Sequence, residues 1–217
     1  MRCFGRDTMA AADVRSRIRM PKTYDRAYFD KWYRDPRHSV ASPSALKRKL
    51  AMVVAQAEYY LGRPIRNVLD VGCGEAPWRA PLRALRPGIA YRGLDASEYV
   101  VARYGRTRDI GLARFGQLEH LRFDLIICTD VLHYLKPAEI RAGLHGIGEM
   151  LEGVAFLEVF TSRDDVAGDQ HGFVSRAPAW YLREFAGVGL LSCGSHCYLG
   201  PRLERHIAAL ERAQLPT

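Results

Sequence analysis

An α/β fold is predicted, a doubly wound and mainly parallel sheet of six or seven strands flanked by helices, and three observations predict it. Short apolar runs alternate with stretches of helical periodicity along most of the chain. One such run, Asn67-Val68-Leu69-Asp70-Val71, opens directly into Gly72-Cys73-Gly74, which reads as a buried parallel strand entering a tight loop. A second run, Ile89 to Asp95, ends 25 residues after Asp70, room for one crossover helix and a turn at Pro87-Gly88.

The elements follow in order. With 217 residues and 48% apolar content, the chain suits one domain with a sizeable core. Its net charge is +8, and much of the basic excess is arginine in the first twenty residues (Arg2, Arg6, Arg15, Arg17, Arg19). Residues 1–20 lack an apolar h-region and are read as a basic, disordered tail rather than a secretory signal. Two helices precede the sheet, near 24–34 and 44–61. The second carries Leu46, Leu50, Val53, Val54 and Ala57 along one stripe, with Ser42-Pro43 as its start and Gly62 as its stop. Residues 21–62 are thus read as an N-terminal helical lid ahead of a core at 63–217. Strands are placed near 66–71, 89–94, 108–113, 123–128, 153–160 and 188–198. Helices are placed near 78–86, 97–104, 137–150, 178–186 and 201–213. The stretch 188–198 reads either as one long strand or as two meeting at Gly194-Ser195.

Composition narrows the function. No run of eighteen apolar residues exists, so no membrane span is expected. The five scattered cysteines (Cys3, Cys73, Cys128, Cys193, Cys197) favour a reducing cytoplasm over a disulfide framework. Cys193 and Cys197 have no second ligand cluster, and no metal site is expected. Nucleic acid is a disfavoured partner, because no basic helix or interleaved aromatics accompany the basic tail.

The glycine turn says more. A phosphate-holding loop is poorly served by an acidic residue two positions before its first glycine, since like charges repel. A dinucleotide fingerprint needs a third glycine where this chain has Pro77, and no Gly-Lys-Ser/Thr follows for a P-loop. Asp70 suits a ligand with a cationic end, such as the ammonium and sulfonium of S-adenosylmethionine. Leu69-Asp70-Val71-Gly72-Cys73-Gly74 resembles the first motif of the class I S-adenosylmethionine-dependent methyltransferases. Phe123-Asp124 followed by Asp130-Val131-Leu132-His133-Tyr134-Leu135 is similar to the fourth-strand motif of their small-molecule members.

The resemblance, over roughly residues 24–200, implies roles. Asp70, Gly72, Cys73 and Gly74 would hold the methionine end, and Asp95 with Ala96 the ribose. Asp95 has a second reading as the cap of the next helix. Thr129 and Asp130 would line the cofactor at the fourth strand's end. Gln117 and Leu118 would face adenine, or Phe115 and Leu118 are helix core. The aromatic cluster Tyr24, Tyr28, Phe29, Trp32 and Tyr33 suits a lid, with Tyr24 or Tyr28 on the methionine carboxylate. His133 is a general-base candidate; alternatively it only packs within its loop. His133, Tyr134 and His171 are the candidate acceptor contacts, His171 lying in the polar loop 161–176. The DNA amino-methyltransferase motif is absent at the fourth strand. The implied activity is methyl transfer from S-adenosylmethionine to an O, N or C nucleophile of a small molecule. The rivals are a non-catalytic S-adenosylmethionine-binding or scaffold protein and, further off, a nicotinamide-dependent oxidoreductase. The oligomeric state is not legible.

Overall fold

The computed structural model describes residues 22–38, 42–117, 121–166, 168–208 and 211. The predicted disordered tail at 1–20 lies outside them, as does Leu118.

Seven strands form one sheet: β1 (Asn67–Val71), β2 (Ala90–Asp95), β3 (Ile110–Leu112), β4 (Phe123–Thr129), β5 (Leu151–Glu158), β6 (Leu191–Gly194) and β7 (Cys197–Leu199). Their order is β3-β2-β1-β4-β5-β7-β6. The first five pair in parallel, and β7 runs antiparallel to both β5 and β6. The stretch 188–198 is therefore two strands, turning at Ser195 and His196, which both take the left-handed conformation. The chain order reverses between β1 and β4, and the crevice beyond the strand ends at such a reversal is where open α/β sheets bind ligands.

Helices cover both faces. On one lie α2 (Pro43–Leu61), α3 (Arg79–Leu85) and α4 (Glu98–Arg108), whose Val53, Leu82 and Val100 meet Val68, Leu125 and Phe156 of the sheet. On the other, α5 (Pro137–Met150) and α6 (Pro178–Ala186) bury Ile140, Leu144 and Phe185 against Leu69, Ile126 and Leu157. Alternate residues of the central strands feed opposite cores, which is why β1 and β4 are apolar on both sides. The start and stop signals of α2 act as expected: the Ser42 hydroxyl accepts from the Ala45 amide, Pro43 opens the helix, and Gly62 closes it at φ +63°.

Two expectations are corrected. The N-terminal unit at 21–62 is not all lid: the buried stripe of α2 (Leu50, Val53, Val54, Ala57) is part of the main core. What lies over the strand ends is the shorter α1 (Arg26–Phe29), continued as a π-helical turn over Asp30–Arg34. The helix predicted at 201–213 is a 3-10 helix over Pro201–His206, after which Ile207 and Ala208 leave helical geometry. Among the described residues no helix is long and apolar enough to cross a membrane, and the described cysteines form no disulfide.

Packing under α5 leaves no room for a methyl group at Gly143. A Cβ there would sit 2.0 Å from Phe115 Cδ1 and 2.5 Å from the Phe115 carbonyl oxygen. Alanine would gain about 1 kcal/mol of helix propensity, but forcing Phe115 and its backbone aside costs more. Gly143→Ala is expected to lower stability by about 1–3 kcal/mol; an unchanged or raised urea midpoint would contradict this packing.

Candidate functional site

The β1 end supplies a glycine loop stitched to β2. The Gly72 and Cys73 amides both donate to the Leu94 carbonyl, at 2.7 and 3.1 Å. Gly72 (φ +68°) and Gly74 (φ +52°) hold left-handed conformations in which a side chain would be strained. They are also crowded: a Cβ on Gly72 would lie 2.3 Å from Val131 Cγ2, and one on Gly74 2.2 Å from the Tyr33 hydroxyl. Cys73 turns its thiol into the core, leaving only its backbone at the loop surface.

Asp95, at the end of β2, closes the loop from the other side. Its Oδ2 accepts from the Gly74 amide and its Oδ1 from the Ser97 amide, both at 2.8 Å. The cap of α4 is Ser97, whose hydroxyl accepts from the Val100 amide, so capping is not what holds Asp95 here. Burial raises the Asp95 pKa even though three backbone N–H groups work against it. The carboxylate keeps acceptor capacity beyond these backbone donors for a ligand hydroxyl.

Asp70 lies beneath the loop, 1% exposed, with Oδ2 accepting from the Tyr91 hydroxyl at 2.7 Å. Burial pushes its pKa up to about 7; the Tyr91 hydrogen bond opposes this and the Asp95 charge adds to it. A carboxyl poised between charged and neutral is one that a nearby cation can ionise.

The β4 end supplies Thr129, Asp130 and the 3-10 turn Leu132–Tyr134. Asp130 is left-handed (φ +58°), and its amide donates to the Glu158 carbonyl at 3.2 Å. Partial burial and then the Glu158 charge raise its pKa to about 6, against Lys49, whose ammonium binds both Glu158 carboxylate oxygens at 2.6 and 2.7 Å. His133 is buried among Tyr134, Phe160 and Phe173. Its Nδ1 accepts from the Phe160 amide at 3.4 Å, which assigns the ring proton to Nε2. Burial, helped by Lys22 and Arg176, lowers its pKa to about 4. A neutral ring whose free nitrogen is already engaged is poorly set up to take a proton, and this geometry favours the packing role.

The loop after β5 is clasped to the same turn. The Val174 amide donates to the His133 carbonyl at 2.8 Å, and Arg176 donates to the Leu135 carbonyl at 2.6 Å. The Tyr134 hydroxyl donates to the Asp169 carbonyl at 2.5 Å. His171 is exposed, and its amide donates to Asp169 Oδ1 at 2.9 Å.

The lid touches both ends. Ser97 Oγ donates to the Tyr24 carbonyl at 2.5 Å, Phe29 stacks on Tyr99, and Arg34 pairs with Glu75 of the glycine loop. The structure takes Tyr24 and Tyr28 to Lys22 and Asp169; Tyr33 is the tyrosine on the glycine loop. Tyr33 was legible only as one of five aromatics. The signal was the Phe29-x-x-x-Tyr33 spacing, which brings their rings to 5.0 Å, although Phe29 is buried and Tyr33 remains exposed. The Lys49–Glu158 pair and Lys22 were missed, being single charged residues far apart in sequence. Ala96 is exposed beside Asp95, and Gln117 is exposed in a turn with its amide on the Arg114 carbonyl at 2.9 Å. Phe115 is buried under Gly143, in a turn rather than a helix, and Leu118 lies outside the described residues. Among the described residues no group of three or more His, Cys, Asp or Glu is arranged to hold a metal.

Comparison with known proteins bears on the family and the fold. The family model described as Methyltransferase domain matches residues 28–202. An amino pentose methyltransferase from Micromonospora echinaspora, solved with S-adenosylmethionine bound, is 15% identical with a TM-score of 0.59, over 83% of this chain and 98% of that one. The magnesium protoporphyrin IX methyltransferase of Synechocystis, with bound S-adenosylhomocysteine, is 17% identical with a TM-score of 0.58, over 82% and 96%. A methyltransferase from Archaeoglobus fulgidus is 15% identical with a TM-score of 0.57, over 76% and 73%. No curated protein sequence matches the chain.

Proposed function

Since the chain belongs to the methyltransferase-domain family, we propose that it moves a methyl group from S-adenosylmethionine to an O, N or C nucleophile of a small molecule. One observation carries the reading: Asp95 and the Gly72-Cys73-Gly74 loop are bonded into a single unit beside the point where the sheet order reverses. The residues fit the cofactor. Gly74 has no side chain, and the Tyr33 hydroxyl occupies the space over its backbone in the free protein, so a ligand approaching there would displace Tyr33. Asp95 has lone pairs for the ribose hydroxyls, and Asp70 sets a carboxyl below the loop for the cationic methionine end.

When bound, S-adenosylmethionine supplies a methyl group on a sulfonium that is already a good leaving group. The chain's own work is to hold the acceptor in line and exclude water, which can supply much of the acceleration. The lid aromatics and the buried ring of His133 give that site dry walls. The general-base candidate His133 has its Nδ1 taken up by the Phe160 amide, so the reading rests on positioning the acceptor rather than on proton acceptance. The reducing cytoplasm suits the free cysteines.

Calorimetric titration with S-adenosylhomocysteine across pH tests the cofactor reading. Below pH 7 the free protein holds Asp70 protonated, and binding a cation there must expel that proton. Affinity is therefore expected to rise with pH, by up to tenfold per unit between pH 5 and 7, and to level off above 7. Asp130 titrates in the same window, so Asp70→Asn is the control, and it should remove most of the slope. Absence of binding by the folded wild type would sink the reading. Binding without tritium transfer from methyl-labelled cofactor into any extract of small metabolites would leave a binding protein on the same fold.

A further inference from the structure

Between the lid and the loop after β5, an ammonium is held almost entirely by aromatic faces. Lys22 Nζ lies 3.4 Å from the centre of the Tyr134 ring, 5.1 Å from Tyr24 and 5.3 Å from Tyr28. The Asp169 carboxylate stands 2.6 Å away, and both charged side chains are close to nine-tenths buried. Tyr24 and Tyr28 meet edge to face, with centres 5.0 Å apart, forming a corner. Tyr134 is fixed by its hydrogen bond to the Asp169 carbonyl, and the Asp169 carboxylate by the His171 amide.

The chemistry of this pocket does not match a lysine. A primary ammonium carries three N–H donors and seeks three acceptors. Here the buried Lys22 Nζ has one acceptor beside it, the Asp169 carboxylate, and no other among the described residues. Burial lowers its pKa, with Asp169 alone pulling the other way. Ring faces and one carboxylate without further acceptors are what a cation with few or no N–H groups requires, as in the aromatic cages that take quaternary ammonium ligands. The position is also informative. Tyr134 follows the β4 end, Asp169 sits in the loop after β5, and Tyr24 is tied through Ser97 to the Asp95 corner.

We propose that Tyr24, Tyr28, Tyr134 and the Asp169 carboxylate form a binding site for an alkylated ammonium group carried by the methyl acceptor, and that Lys22 fills it in the free protein as an internal stand-in. The assignment to the acceptor rests on the methyltransferase reading above; the cage itself does not. Lys22 is then a competitor of the ligand and not part of its site.

Ligand-observed NMR titration of the full chain, at fixed ionic strength and with saturating S-adenosylhomocysteine, tests this with two probes of similar shape. Tetramethylammonium carries the charge, and 3,3-dimethylbutan-1-ol does not. Lys22→Met is expected to bind tetramethylammonium at least tenfold more tightly than the wild type does, and at least tenfold more tightly than it binds the alcohol. Adding Tyr134→Leu or Asp169→Asn to Lys22→Met should abolish the gain. Lys22→Gln serves as the second variant should Lys22→Met fold poorly. A latch role for Lys22 predicts the opposite, with no gain or a loss on removing it, and that result overturns the proposal. So does equal binding of both probes. So does a variant that gains affinity for S-adenosylmethionine over S-adenosylhomocysteine but none for tetramethylammonium, which would give the cage to the sulfonium. Failure of the wild type to bind S-adenosylhomocysteine would instead strike the cofactor reading, with the two probes then titrated alone to decide the cage.

Discussion

Asp95→Ala is expected to weaken S-adenosylhomocysteine binding by tenfold or more, about 1.4 kcal/mol, with little change in the urea midpoint of the free protein. The two halves of that expectation have one cause. In the free fold the carboxylate gains from the Gly74 and Ser97 amides, but its raised pKa shows that burial costs it more than they return. Removing it therefore relieves a desolvation penalty while losing two hydrogen bonds, and the terms nearly offset. A ligand experiences only the loss, because the ribose acceptor is gone and the Gly74 amide is no longer aimed. Asp95→Asn should fall between, since one oxygen remains to accept. Unchanged affinity in Asp95→Ala would show that the β2 end does not hold the nucleoside.

The largest loss of stability should come from the opposite end of the sheet. Asp124, 3% exposed at the start of β4, accepts from Arg63 through both oxygens at 2.9 and 2.7 Å and from the Arg66 amide at 2.7 Å. The Asn67 side chain accepts from the Asp124 amide at 2.7 Å, so the corner joining α2 to β1 is fastened to β4 here. Breaking a buried pair by deleting one partner costs about 3–5 kcal/mol. Arg63 reaches solvent, which places Asp124→Ala near the lower end, at about 3 kcal/mol. The pH dependence has a definite sign. The Asp124 pKa is lowered on folding: burial raises it, but the hydrogen bonds and the charge of Arg63 outweigh that. Its contribution is therefore complete above the unfolded carboxylate pKa of about 3.9 and is lost as the pH falls through the lower folded value. Urea unfolding should show a constant gap between wild type and variant from pH 5 to 8, closing below pH 4. A gap that does not narrow at all as the pH falls below 4 would mean that packing, and not the ion pair, is what Asp124 provides.

Most of the sheet was legible because its central strands obey local rules. β1 is an apolar run ended by glycines, and α2 has a cap, a stripe and a stop within its own sequence. Elsewhere local rules run out. The stretch 188–198 left one strand or two open, and the pairing of β7 with β5 decides for two, through a turn of two left-handed residues that are not glycine. The helix expected at 201–213 has good periodicity, but Ile207 is extended after the 3-10 turns of Pro201–His206, where tertiary context prevails over propensity. The site divides in the same way. Asp70, Gly72, Gly74 and Asp95 sit at strand ends whose chemistry is set by sequence neighbours. Whether His133 takes a proton depends on the Phe160 amide, Lys22 and Arg176, which the fold alone brings to it.

The lid has a kinetic consequence. From Tyr24 to Tyr33, ten residues reach the cage on one side and the glycine loop on the other. Were this segment to lift, it would uncover the proposed cage and the glycine loop together, and seating it would cover both together. The two ligands thus share one gate, and whichever arrives first enters an open crevice while the second fastens it. The exchange of spent cofactor would then wait on departure of the methylated product, giving sequential turnover with a trapped intermediate complex rather than two independent equilibria.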